Sequence, residues 1–517
     1  MVKIPRPTCH IFQKKTPFKK ISIKGNPLAY VLISVLIFIG CSPKFTNVSL
    51  PIENVQEFST SGSMVLKDKW WTAFEDEQLN VLMDSALQSN MDLAAIWQQF
   101  MATKAVVRRQ ASNKWPQIDA SAQTARNFPE PDFVGGENTQ LGLSTSYEVD
   151  LWGRIRTAVQ AEKLRADASL YDYRTAAITL SAQIASTWYQ LLVAKKQLEI
   201  TEEQIAVNED IIKLIRSRFV GGQIRAVDIL RQAQLLESTK EQRIIFMTNV
   251  ELLENQLAVL LGKQPQSPLD LESPSLPQLH ELPETGLPLE LVRRRPDLQR
   301  SYSLLLAADR DMASAVKSKY PRLSLSARGQ LRSNNFDNLF KNWAYSIAGN
   351  LLAPLFYGGQ LSAEVNRTEA IKRQRLYEYG QATLTAFQEV ENGVTRDIMQ
   401  KERLENIERQ LDLAEKSNKQ LRVEFLNGFS PYLDVLIGLD AEQQLRRDYL
   451  AAQLQQIQIR IDLYRALAGG FETDRELDIE MEMKKQNNYD QQKNTVDLFG
   501  DFTGRCCYHH AYFLNGT

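Results

Sequence analysis

The chain has 517 residues, enough for two to four ordinary domains, and its formal net charge of -1 at pH 7 excludes the basic stripe that nucleic-acid binding requires. Hydrophobic residues make up 43%, yet beyond the N-terminus no apolar run approaches the roughly 20 residues of a membrane-crossing helix. If this protein spans a membrane, it does so with strands.

Residues 1–24 carry Lys3, Arg6, Lys14, Lys15, Lys19, Lys20 and Lys24 and no acid. The apolar stretch PLAYVLISVLIFIG follows and ends at Cys41. That order is a secretory signal, assigned to residues 1–40. FIGCS resembles the lipobox of bacterial lipoproteins, with Gly40 before Cys41 and Phe38 where Leu is usual. The resemblance implies a thioether-linked diacylglycerol on Cys41 and an acyl chain on its new amine, more than one chain being what stable anchoring requires. A signal anchor with a chance cysteine is the bland alternative. Residues 41–69 form a tether. Ser42 to Arg505 holds no cysteine, so packing and assembly replace disulfides. Cys506, Cys507, His509 and His510 lack C-x-x-C spacing and are not read as a metal site.

From residue 70 onward the chain repeats itself. NMDLAAIWQQF from Asn90 matches RPDLQRSYSLL from Arg295, with Asp92 and Asp297, and Pro116 and Pro321, 205 residues apart. RFVGGQIRAVDIL from Arg218 matches EFLNGFSPYLDVL from Glu424. Two copies, 70–264 and 290–471, flank a linker, 265–289, with six prolines. The polar segment 472–517 reads as a disordered tail.

Each copy has one internal order. A helix comes first, 77–112 or 297–318. Two alternating segments follow. Leu141, Leu143, Thr145, Tyr147 and Val149 face one way and Gly142, Ser144, Ser146, Glu148 and Asp150 the other, while Trp343, Tyr345, Ile347 and Leu351 share a face in the second copy. PQIDASAQTAR and PRLSLSARGQL are their weaker partners. Such alternation over about ten residues suits a membrane-barrel strand, and equally a half-buried sheet. Arg154–Val220 then runs without Gly or Pro, a helix of roughly 100 Å. Gln360–Asn427 repeats it without Pro, and returning helices 228–261 and 434–467 complete the copies. Helices this long must pack side by side as coiled coils.

Four strands cannot close a barrel, and open edges are forbidden in lipid, so the chain must oligomerise. A dimer would give eight strands filled by side chains; a trimer gives twelve and a lumen.

KWWTAFEDEQLNVLMDSALQSNMDL (69–93), YEVDLWGRIR (147–156), RRRPDL (293–298), PLFYGGQL (354–361) and YLDVLIGLDAEQQL (432–445) carry a resemblance to the TolC-like outer-membrane factors, in their NodT-type lipoprotein branch. The resemblance implies a mainly α-helical fold with membrane strands: two tandem repeats, and a homotrimer forming a twelve-stranded β-barrel continued by a long α-helical barrel. It implies a duct in the outer membrane, in contact with outer-membrane lipid, that passively conducts compounds from an inner-membrane resistance-nodulation-division pump and a periplasmic membrane-fusion adaptor. A type I protein-secretion conduit, or a lipid-anchored periplasmic adaptor, are the alternatives.

The repeated stretch lies where each long helix reverses. Gly222 and Gly428 suit the positive-φ turn that ends one helix and begins the next. The resemblance makes Phe219, Gly222, Phe425 and Gly428 the adaptor-contact tips, against plain packing and turning. Asp228 and Asp434 suit a helix N-terminus, and as rings they would favour cations at a periplasmic aperture, with Asp440 as a further acid. No P-loop, H-E-x-x-H or G-x-S-x-G pattern occurs, which argues against an enzyme. Apart from the lipid on Cys41, no cofactor is expected. The sequence is silent on cargo.

Overall fold

A computed structural model describes residues 56–477 apart from 66, 128–135, 270, 272–274, 334–335 and 342. The signal segment, Cys41 and the cysteine-containing end lie outside the described residues. After a 3-10 turn, Trp70–Phe74, come α1 (Glu77–Ser89), α2 (Met91–Ser112), β1 (Gln117–Asn127), β2 (Gly136–Val149), α3 (Arg154–Val220) and α4 (Ala226–Leu260). A short helix, α5 (Pro288–Arg294), leads to α6 (Pro296–Lys317), β3 (Arg322–Ser333), β4 (Trp343–Leu352), α7 (Gln360–Leu426) and α8 (Tyr432–Leu467).

The helix expected over 77–112 is two helices. Asn90 is extended and caps α2, its side chain accepting from the Leu93 amide at 2.9 Å. Its side-chain Nδ2 donates to the Leu260 carbonyl at 3.0 Å, fixing the break against the end of α4. Both long helices are 67 residues, and each begins after a left-handed glycine, Gly153 or Gly359. Their length is stabilised by neighbours rather than propensity: α3 packs on α4, α6, α2 and α8, and α7 on α8 and α6.

The main core wraps the middle of α3. Trp70, Trp71, Phe74, Trp188, Tyr189 and Tyr464 are all nearly fully buried, and burial of each such ring contributes about 1.5–3 kcal/mol. Two of the indoles are satisfied: Trp188 donates to Asp76 at 2.8 Å and Trp70 to Ser181 at 3.1 Å. The other Asp76 oxygen caps α1 through the Leu79 amide at 3.0 Å. A second core joins α7 and α8 through Val390, Val394 and Leu463, and a third lies at the helix turns.

The expected disorder does not hold for the first residues of the tail. Phe471 meets Trp71 edge-on at 4.8 Å, Thr473 bonds the Tyr173 hydroxyl at 2.8 Å, and Glu476 pairs with Arg174 at 3.0 Å. Arg475 donates to the Leu87 and Gln88 carbonyls, capping the C-terminus of α1. A polar composition concealed these bonds because each polar group has a specific partner far away in the sequence. The linker also pairs: Met64 bridges Pro283, with the Glu284 amide donating to the Met64 carbonyl at 2.9 Å.

Candidate functional site

The strands form one antiparallel sheet in the order β1-β2-β3-β4, so β1 and β4 are edges. The register sorts residue types by face. Ile118, Leu143, Trp343, Tyr345, Ile347 and Leu351 stand on one face, 60–81% exposed in the single chain. On the other face a row runs Asp119, Ser144, Arg328, Ser346, and the next rows carry Gln, Ser, Ala and Asn. An apolar face this exposed needs an apolar solvent.

The junction of sheet and helices is built from local electrostatics. Asp150 lies past the end of β2, where it accepts from the Ile155 and Arg156 amides at 3.1 and 2.8 Å and caps α3. Glu148 holds Arg154 through two contacts of 2.9 Å. The Trp152 indole donates to the Pro321 carbonyl at 2.7 Å, and its ring lies 5.2 Å from that of Tyr320. The positions corresponding to this corner in the other direction, Leu355, Phe356 and Trp115, are 94%, 88% and 73% exposed.

The turns far from the sheet are twins in backbone. Gly222 and Gly428 have φ of 67° and 82°, a region a side chain rarely adopts. A Cβ on either would meet nothing within 4 Å, so conformation rather than crowding calls for glycine. Gln223 and Phe429 each donate to a carbonyl five residues back, Arg218 and Glu424, both at 2.9 Å. The turns adjoin and share a cleft lined by Arg218, Arg225, Asn427 and Pro431.

In side chains the turns differ. Phe219 is 44% exposed, whereas Phe425 is 9% exposed, packed on Tyr432 at 5.3 Å with the Arg218 guanidinium 5.1 Å from its ring. Phe429, which the sequence reading passed over, is 84% exposed directly after the turning glycine. Asp228 is buried: it accepts from the Arg225 amide and guanidinium and caps α4. Asp434 is half-buried and accepts from the Ser430 hydroxyl at 3.0 Å, while Asp440 is exposed on α8. The structure thus brings Asp228 and Phe425 to one cleft but commits both to local packing. Arg225, three residues before Asp228, is the sequence signal for that capping pair.

Behind the turns lies a buried polar cluster that the sequence reading also missed. Gln232 donates to Asn208 at 3.1 Å and accepts from the Tyr432 hydroxyl, and Asn208 donates to Thr239 at 3.1 Å. Gln204 reaches the Gln443 carbonyl at 3.2 Å and accepts from Arg447 at 2.7 Å. Burial, reinforced by the nearby Asp228 charge, pushes the Tyr432 phenol far up, keeping it a donor. No cluster suited to a metal ion occurs among the described residues.

Residues 82–263 and 287–469 match the family model described as outer membrane efflux protein. The chain belongs to that family. It is the outer-membrane exit duct of an efflux system and not an enzyme. The pyoverdine export outer membrane protein OpmQ of Pseudomonas aeruginosa is 29% identical over 472 residues, covering 86% of this chain and 97% of its own. The solvent efflux pump outer membrane protein SrpC of Pseudomonas putida is 28% identical over 417 residues, covering 77% of this chain and 86% of its own. Among solved structures, the open-state MtrE outer membrane channel of Neisseria gonorrhoeae superposes with a TM-score of 0.75 at 22% identity, over 83% of this chain and 97% of that one.

Proposed function

We propose that three copies of this chain pool their sheets into a twelve-stranded barrel, continued by the paired long helices as a tunnel, through which a pump and a periplasmic adaptor expel small molecules. One observation carries this reading: a four-stranded sheet with two open edges exposes Ile118, Leu143, Trp343, Tyr345, Ile347 and Leu351 on one face. Lipid forbids the edges, and four strands cannot close on themselves. The corner residues support it. Trp152 packs on Tyr320 within one chain, and their exposed counterparts Phe356 and Trp115 meet in the same manner when one copy follows another.

On this reading the two copies in the sequence are two equivalent segments of the wall. The adaptor docks at the far turns, reading Phe219, Phe429 and the backbone at Gly222 and Gly428, while Phe425 supports the turn from within. Asp434 and Asp440 are the acids available to an aperture, and Asp228 serves its helix. A diacylglycerol and an acyl chain on Cys41 hold the assembly to the membrane. The cargo is of the kind the relatives' names suggest, pyoverdine or a solvent.

The test is purification of the full chain from membranes in detergent. Light scattering is expected to give three chains per particle, and the particle to open ion-conducting pores in planar bilayers. A lone monomer without conductance would sink the proposal.

A further inference from the structure

We propose that the polar wall of the sheet is an electropositive track that favours anionic cargo, set by Arg322 and Arg328 of β3. This rests on the barrel reading, in which the polar face lines the lumen, and it goes beyond that reading by assigning a charge class to what passes.

Arg322, Arg328 and Arg332 of β3 all stand on the polar face. Arg328 lies opposite Ser144 and Ser346, Arg332 opposite Gln140, and Arg322 opposite Leu352 at the strand's end. Neither Arg322 nor Arg328 has an ion-pair partner among the described residues, and Arg328 is exposed. The acids with described side chains on this face are Asp119 and Glu148. Glu148 is already taken by Arg154 through its two 2.9 Å contacts. Asp119 shares the Arg328 row but stands two strands away, about 10 Å at ordinary strand spacing, too far for an ion pair. The rest of the wall is Ser, Gln, Asn, Ala and Gly, which adds no charge.

Spacing turns two charges into a track. At about 3.3 Å per residue, Arg322 and Arg328 are separated by roughly 20 Å. Together they cover most of an apolar band about 25 Å tall. Guanidinium stays charged at any working pH and pairs with carboxylates, phosphates and sulfonates. A narrow lumen with low-dielectric walls focuses this field on the ions inside.

The experiment measures reversal potential across planar bilayers holding the purified full chain, under a potassium chloride gradient. The Arg322→Gln, Arg328→Gln double variant is expected to lower the chloride-to-potassium permeability ratio at least about twofold near 0.1 M salt, where the Debye length is about 10 Å, and much less near 1 M, where it is about 3 Å. Asp119→Asn should move the ratio the opposite way, and Ser326→Gln, a change of bulk without charge on the same wall, should leave it alone. Trimesate, a tricarboxylate added as blocker, is expected to reduce wild-type current and to block the double variant less. Conducting arginine variants with the wild-type ratio and unaltered trimesate block would overturn the track and leave the barrel standing. Wild-type protein that never conducts would remove the barrel, and the track with it.

Discussion

Residues at matching positions of the two helix turns do different jobs, because their immediate neighbours differ. Asp228 follows Arg225 and is held by its guanidinium and amide; Asp434 follows Pro431, which offers neither, and turns to Ser430 instead. The contrast is sharper for Asp397 and Arg460, whose side chains are 4% and 3% exposed and joined by contacts of 2.9 and 2.8 Å. Arg460 also donates to the His280 and Glu281 carbonyls at 2.9 and 3.0 Å, tying the linker to α8. Removing one partner strands a buried charge, so Asp397→Ala should destabilise by about 3–5 kcal/mol. An Asp397→Leu, Arg460→Met pair should recover much of the loss. Differential scanning calorimetry of the detergent-solubilised protein is the check, and equal losses in the single and double variants would contradict the argument.

At the scale of elements, what was legible is what single residue types dictate. Absence of Gly and Pro set the limits of α3, and alternation set the faces of β2 and β4. The break at Asn90 was not legible, because its cause is a carbonyl of α4 some 170 residues away. The tips were legible as turns through Gly222 and Gly428. Burial of Asp228 and Phe425 was not, since it depends on how one turn leans on the other. Arginines at 322, 328 and 332 were visible as even-numbered positions in a weak strand, but only the register shows that they share the polar face. The edges carry a prediction at this scale. In the proposed barrel, the register joining β2 to β3, carried over by the spacing between the two halves, would set Leu351 of one copy opposite Ala122 of the next. In a background with Cys506 and Cys507 replaced by Ser, Leu351→Cys with Ala122→Cys should form disulfides between chains under mild oxidation. Leu351→Cys with Thr124→Cys, displaced along the strand, should cross-link far less. Denaturing gels read the outcome, and equal yields would exclude this register.

For the whole molecule, the segment after Phe471 matters more than its composition suggests. It reaches α1 across 386 to 388 residues of sequence, through Asp474 to Gln88 and Arg475 to the last carbonyls of α1. A chain ending at Gly470 loses the Phe471 ring from the main core and these bonds, and its melting temperature should fall by several degrees, about 2–4 °C for each kcal/mol lost if it scales as a large domain. A truncated protein that melts with the full chain would show the clasp to be decorative.

The clasp also orders events in time. A secreted polypeptide emerges beginning first, and Trp71 waits for a phenylalanine that leaves the ribosome some 400 residues later. Until Phe471 arrives, its edge-on contact with Trp71 is unmade and the main core lacks one of its rings.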